Sequence, residues 1–173
     1  MSGEIVTEHL ALRPLTGDEA SAVVAGNREG RAWASDYPIE GDIVVSRLLL
    51  LAPELPPTDF GTYQVVMSDT RIVVGGVGFK GSPRDGVVEV GYGLAPSARG
   101  SGLATEAVRG LLTRARSHPE IVAVEADTDP GNEASQRVLL RAGFERVVAR
   151  DGLPLFRLTL SDEGVDNGAM EQR

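Results

Sequence analysis

The stretch APSARGSGLATEAVRGLL, residues 95–112, places Arg99-Gly100-Ser101-Gly102 directly before a run of helical periodicity. Two glycines there cost conformational entropy, so the turn needs a reason. Leu103, Ala104, Val108, Leu111, Leu112 and Ala115 fall on one face of a helix over 102–116. The first turn of such a helix leaves backbone N–H groups without partners and carries the positive end of the macrodipole. Glycines let an anion approach those N–H groups, and Arg99 adds a permanent cation. Two readings fit: an anion site, or a plain strand-to-helix turn with Ser101 as cap.

Outward from this point, three strand-like runs precede the loop: residues 62–68, 71–81 and 86–96. The link GSPRDG (81–86) is dense in turn formers, so the last two runs should pair as an antiparallel hairpin. Nearer the start, IVTEHLALRPL (5–15) reads as one strand, followed by helices over 16–27, with Thr16 as N-cap, and 41–55. Beyond the loop come a short apolar strand (120–127) and a helix (132–143) capped by Asn132 and stopped by Gly143. Strands at 144–152 and 154–160 follow. The polar tail 161–173 has no periodicity and is expected to be disordered. Residues 1–160 thus form one α/β domain, antiparallel first, then one strand–helix–strand–helix section parallel at its core.

Composition narrows the function. The chain of 173 residues carries no cysteine and two histidines, His9 and His118, which excludes thiolate chemistry and argues against a metal centre. A net charge of −8 argues against nucleic-acid binding. No apolar run approaches the ~18 residues of a membrane span and the start lacks signal-peptide character, so a cytoplasmic protein is expected.

Gly76-Val77-Gly78-Phe79-Lys80-Gly81 spells G-x-G-x-x-G, but a turn follows it where a dinucleotide site needs a helix. Close packing or a bend in the strand explains those glycines better. A Rossmann reading of the Arg99 loop, with Glu125 or Asp127 on a ribose, fails because only one strand–helix–strand unit exists and Thr105 replaces the third glycine.

Arg99-Gly100-Ser101-Gly102-Leu103-Ala104 resembles R/Q-x-x-G-x-G/A, the pyrophosphate loop of the GNAT superfamily of acyl-CoA N-acyltransferases. VEVGYGLAPSARGSGLATEA, NEASQRVLLRAGFERV and the opening TEHLALRPLTGDEA are similar to the Rim-type branch, ribosomal-protein alanine acetyltransferase-like enzymes. The resemblance spans about residues 7–160 in order, departing at Arg141, where many relatives have lysine. It implies a mixed, mostly antiparallel sheet splayed in its middle, with helices on both faces and acetyl-CoA in the cleft. Leu94 and Ala95 would then offer backbone groups to the pantetheine arm, Arg99 to Ala104 would hold the pyrophosphate, and Asn132 would contact the pantetheine amide. No metal is implied. The implied reaction moves an acetyl group directly to a primary amine, a small molecule or a peptide N-terminus. The alternative is a non-catalytic acetyl-CoA-binding domain. Monomer and homodimer both fit.

Direct transfer needs a neutral nitrogen. At pH 7 that costs about 4.6 kcal/mol for a lysine-like amine and about 1.4 kcal/mol for an α-amine near pKa 8. Glu89, two residues before Gly91, is the best-placed carboxylate to take the proton. Ser135 or Tyr92 would protonate the departing thiolate; relatives suggest Ser135. The acceptor wall is expected in WASDYPIEGD (33–42): Trp33, Tyr37 and Pro38 as surface, with Asp36, Glu40 or Asp42 drawing in a cation. A packed connector whose aromatics belong to the core fits that segment equally well.

Overall fold

The computed structural model describes residues 3–52 and 59–160. The expected tail, and the end of the helix expected over 41–55, lie outside the described residues. Eight strands form one sheet in the order β1-β2-β3-β4-β5-β6-β8-β7. They are β1 (Ile5–Val6), β2 (Leu10–Pro14), β3 (Thr62–Met67), β4 (Val73–Phe79), β5 (Val87–Leu94), β6 (Ala123–Asp127), β7 (Glu145–Arg150) and β8 (Leu153–Thr159). The helices are α1 (Gly17–Ala25), α2 (Glu40–Leu51), α3 (Leu103–Arg116) and α4 (Glu133–Ala142). None of the described helices is long and apolar enough to cross a membrane.

Every pairing is antiparallel except β5 with β6, the two strands joined through α3. The expected hairpin at 81–86 is present as the β4–β5 link. One expectation is corrected: residues 5–15 are two short antiparallel strands, not one. The break at Thr7–His9 contains neither glycine nor proline. It is held instead by Glu106 of α3, which accepts from the Thr7 hydroxyl (2.6 Å) and the His9 N–H (2.7 Å).

Alternation along the strands sorts side chains to two faces. Leu10, Leu12, Val65, Val77, Val88 and Val90 share a core with Val108, Leu111 and Leu112 of α3 and Leu139 of α4. Each large aliphatic buried there contributes about 1.5–3 kcal/mol. Ala11, Val66 and Val73 face the opposite side and pack with Ala22 and Val23 of α1, Trp33 and Tyr37. Helices therefore cover both faces.

Candidate active site

The parallel pairing of β5 and β6 ends at Glu89 and Glu125, although β5 runs on to Leu94 and β6 to Asp127. Past that point β5 pairs only with β4, Val90–Leu94 against Gly75–Phe79. The sheet is splayed there. Because Glu89 and Ala95 direct their backbone bonds to β4, strict alternation turns the backbone of Tyr92 and the N–H of Leu94 towards the gap. Ala95 itself is spoken for: its N–H donates to Val74 and its carbonyl accepts from Ala98. The Leu94 carbonyl accepts from Arg99 Nε at 2.9 Å. Of the pantetheine groups expected at Leu94 and Ala95, the Leu94 N–H faces the gap, and each carbonyl already holds one hydrogen bond.

The loop after β5 begins with a 3₁₀ turn, Pro96–Ala98. Asp36 pins this turn, accepting from the Ser97 hydroxyl (2.6 Å) and N–H (2.7 Å). Those bonds, the hydroxyl's first, and the nearby Arg99 hold the Asp36 carboxyl below its ordinary pKa. Gly100 (φ 85°) and Gly102 (φ 81°) adopt the left-handed conformation that side chains resist. Gly102 caps α3 with no side-chain hydrogen bond. Ser101 is therefore not the cap, and no side chain caps the first N–H groups of α3, at Leu103, Ala104 and Thr105, a few residues after Arg99.

At the gap's other wall, α4 starts at Asn132, whose Oδ1 accepts from the Ser135 N–H at 3.1 Å. The Tyr92 and Ser135 hydroxyls lie 2.7 Å apart, and Tyr92 also donates to the Ser135 carbonyl. Burial raises the Tyr92 phenol above its usual pKa, so it stays a neutral donor. The structure thus brings Tyr92 to Asn132 and Ser135, 40 and 43 residues further along the chain.

The opposite face of β4 and β5 carries no side chain of its own at four positions. Gly76 pairs with Gly93 and Gly78 with Gly91, so four glycines share one patch. Three side chains lie over it: a side-chain carbon would meet Asp42 Oδ1 at 2.5 Å from Gly76, Ile39 Cδ1 at 2.7 Å from Gly93, and Lys80 Cε at 3.1 Å from Gly91. Gly76 and Gly78 of the false dinucleotide pattern thus serve close packing, while Gly81, at φ 101°, serves the turn and has nothing packed on it. Trp33 and Tyr37 sit next to this patch but in the core under α1, 7% and 2% exposed and edge-to-face at 5.2 Å. They support the floor's surroundings and offer little surface. Glu40 is exposed at the start of α2.

At the base of the gap, where the pairing of β5 and β6 ends, six charges form a ladder across the strands. Glu89 binds Lys80 Nζ (2.7 Å) and Arg150 (2.6 Å); Lys80 also binds Asp127 (2.8 Å). Glu125 binds Arg150 (3.2 Å) and Arg157 (2.6 Å). Burial opposes the charge on Lys80, but its bonds to Asp127 and Glu89 outweigh it and raise its pKa. Lys80, Arg150 and Arg157 carried no signal in sequence, because their partners lie on other strands.

Residues 9–145 match the acetyltransferase (GNAT) domain family. An uncharacterized N-acetyltransferase, YjdG of Bacillus subtilis, is 33% identical over 86 residues, covering 49% of this chain and 51% of that protein. That match spans only about half the length of the curated relative. Among solved structures, a ribosomal-protein-S5-alanine acetyltransferase from Vibrio fischeri superposes with a TM-score of 0.69 at 20% identity, covering 92% of this chain and 97% of the other. RimL, a ribosomal L7/L12 α-N-protein acetyltransferase solved in complex with coenzyme A, gives 0.64 at 17% identity, covering 91% and 98%. The splayed sheet, the uncapped α3 and the family match agree, and the chain belongs to the GNAT acetyltransferase family.

Proposed function

We propose that this protein transfers an acetyl group from acetyl-CoA to a primary amine, with a peptide N-terminus as the favoured acceptor class. The observation that carries this is one juxtaposition. The α3 N-terminus without a side-chain cap, the unpaired edge of β5 and the Tyr92–Ser135 hydroxyl pair all border the gap between β5 and β6. Acetyl-CoA, when bound, supplies an activated thioester. The chain fits such a ligand: Leu103, Ala104 and Thr105 present N–H groups to a pyrophosphate, Gly100 and Gly102 shape the turn, and Ser101 and Arg99 border it. Asn132 uses its Oδ1 as a helix cap, and its amide nitrogen is left to donate to the pantetheine arm. The N–H of Tyr92 or Leu94 meets the same arm from β5.

Ser135 is the proton donor to the departing thiolate, and Tyr92, 2.7 Å away, orients its hydroxyl and shares the proton. A thiol of pKa about 8.5 needs only that modest help. Glu89 faces the gap's base, but both its oxygens hold cations. To accept a proton from the amine it must first release Lys80 or Arg150.

The test is a thiol-release assay with acetyl-CoA against N-terminal peptides, polyamines and aminoglycosides, beside calorimetry of acetyl-CoA binding. Transfer to at least one amine class supports the reading. Tight acetyl-CoA binding with no transfer to any amine overturns it in favour of a binding domain.

A further inference from the structure

One carboxylate on the glycine face has no cation. Asp42, in the first turn of α2, uses Oδ2 to accept the Ile39 N–H at 3.0 Å. Its Oδ1 lies against Gly76, on the strand next to β5, close enough that a side-chain carbon there would sit at 2.5 Å. Its neighbours are otherwise accounted for. Glu19 of α1 faces Arg31 (3.6 Å) and the Gln64 amide (3.4 Å), and Arg13 of β2 donates to Gln64 at 2.8 Å. Tyr37 is a buried phenol, raised in pKa by burial first and by Asp42 second. Ile39 covers Gly93. Asp36 is bound to Ser97, and Glu89, Glu125 and Asp127 are each paired with a cation.

A second polar group on this helix is also left over. Ser46, four residues on from Asp42 and so on the same side of α2, is 1% exposed, and its hydroxyl has no partner. Buried polar groups are almost always paired in folded chains. An orphaned hydroxyl one turn from an unpaired carboxylate marks a place shaped for something that brings its own donors. A protonated amine brings three.

We propose that Asp42, at the edge of the glycine patch beside Gly76, receives the acceptor's ammonium and takes the proton that this nitrogen must lose before attack. This rests on the acetyl-transfer reading above and adds the acceptor's seat. The steps balance. One ammonium proton passes to Asp42 Oδ1, the neutral nitrogen forms a bond to the thioester carbonyl carbon, and the carbon–sulfur bond breaks. The second proton shed by that nitrogen replaces the one Ser135 gives to sulfur. Asp42 then returns its proton to solvent, so each turnover yields amide, thiol and one proton.

Burial pushes the Asp42 carboxyl up to about 6, the Ile39 N–H offsetting part of the rise. A base of that strength lies about two units below an α-amine and more than four below a lysine-like amine. Proton transfer is therefore about a hundredfold uphill for the first and above ten-thousandfold for the second. The seat selects α-amines, which a peptide N-terminus carries and a polyamine does not.

The experiment compares wild type, Asp42→Asn and Asp42→Ala with an α-amino peptide and a matched peptide whose only free amine is on lysine. Asparagine retains an oxygen for the Ile39 N–H, so it removes the charge and keeps the helix start. In wild type kcat/KM for the α-amine falls below a pH near 6, and the α-amine exceeds the lysine amine at least tenfold. Asp42→Asn lowers kcat/KM at pH 7 by about a hundredfold, leaves the acetyl-CoA Kd within twofold, abolishes the limb near pH 6, and recovers in part at pH 9. Asp42→Ala behaves alike, which keeps the test open if one variant folds poorly. Variants within twofold of wild type with the limb intact overturn the seat while leaving acetyl transfer standing. A wild type that binds acetyl-CoA and acetylates neither peptide nor any other amine overturns both.

Discussion

Two helix N-termini meet the middle of the sheet, and they leave opposite groups unsatisfied. At α3, Gly102 brings no side chain, so backbone donors stay open and Arg99 adds positive charge nearby. At α2, Asp42 answers the Ile39 N–H and has an oxygen to spare, so an acceptor stays open. One end is complementary to a phosphate-bearing anion and the other to an ammonium. Each is the first turn of a helix, and the difference lies in the residue that ends or fails to end that turn. The charge ladder that runs from the end of β4 across β5 and β6 to β8 and β7 is the contrast to both: its three acids and three bases satisfy each other.

The largest effect should come from closing the α3 end. Gly102→Val forces a β-branched residue to φ 81° and places methyls where an anion would approach the N–H groups. Calorimetry should show acetyl-CoA affinity falling at least a hundredfold, about 3 kcal/mol. A folded variant that binds as wild type does would remove the anion from that end and, with it, half of the contrast.

The α2 end is tested by stability alone, without any substrate. The Asp42 carboxyl is raised from its ordinary 3.8 to about 6. Below pH 4 it is protonated in both folded and unfolded chains, and its stabilising share is fully present. As pH rises through 6 the folded chain must either hold a proton that the unfolded chain has lost or bury a charge. That share is then gone. Two units correspond to at most about 3 kcal/mol. Asp42→Asn should therefore be more stable than wild type at pH 7, by up to that amount, and no more stable at pH 4. Melting curves at the two pH values check it. Equal curves at both would mean that the Asp42 charge is compensated after all.

These two ends differed in how readily the sequence showed them. The α3 end was legible because all its parts lie within ten residues, Leu94 to Leu103: a strand end, left-handed glycines and a helix start. The same holds for the Asn132 and Gly143 caps of α4. What the sequence hid was built from distant partners. Asp42 was one of three acids in a segment named for the acceptor, and only its contact with Gly76, 34 residues on, sets it apart from Asp36 and Glu40. Glu89 looked like a free base because Arg150 follows 61 residues later. The break between β1 and β2 has no turn residue of its own and depends on Glu106, a hundred residues away. Trp33 and Tyr37 read as a wall or as core from sequence, and packing against α1 puts them in the core.

Between the two ends stands the Tyr92–Ser135 pair, and Ser135→Ala sharpens its part. Asn132 Oδ1, not the Ser135 hydroxyl, satisfies the helix N–H, so the variant should lose less than 1 kcal/mol of stability. Its hydroxyl matters only as charge develops on sulfur, so saturated turnover should fall about tenfold, near 1.4 kcal/mol of barrier, with acetyl-CoA affinity unchanged. Rapid-quench measurement of the chemical step, beside the acetyl-CoA Kd, separates the cases. Affinity falling in step with turnover would make Ser135 a cofactor contact.

The smallest effect belongs to Glu89, and it is the sharpest check on the contrast between a paired and an unpaired carboxylate. Glu89→Gln keeps one acceptor oxygen but turns an amide towards two cations, Lys80 and Arg150. Partly exposed ion pairs of this kind contribute about 0.2–1 kcal/mol each, so the loss of stability should be on the order of 1 kcal/mol and should shrink in high salt. Lys80 lies over Gly91, so its release should disturb the gap slightly and lower kcat/KM a few-fold. The limb near pH 6 should stay where it is, because the group that titrates there, Asp42, lies against Gly76 and shares neither of Glu89's cations. If instead Glu89→Gln costs a hundredfold at pH 7, recovers at pH 9, and Asp42→Asn does neither, the assignments exchange. The base would then be a carboxylate that sheds a cation on each turnover, and Lys80 or Arg150 would have to move to expose it.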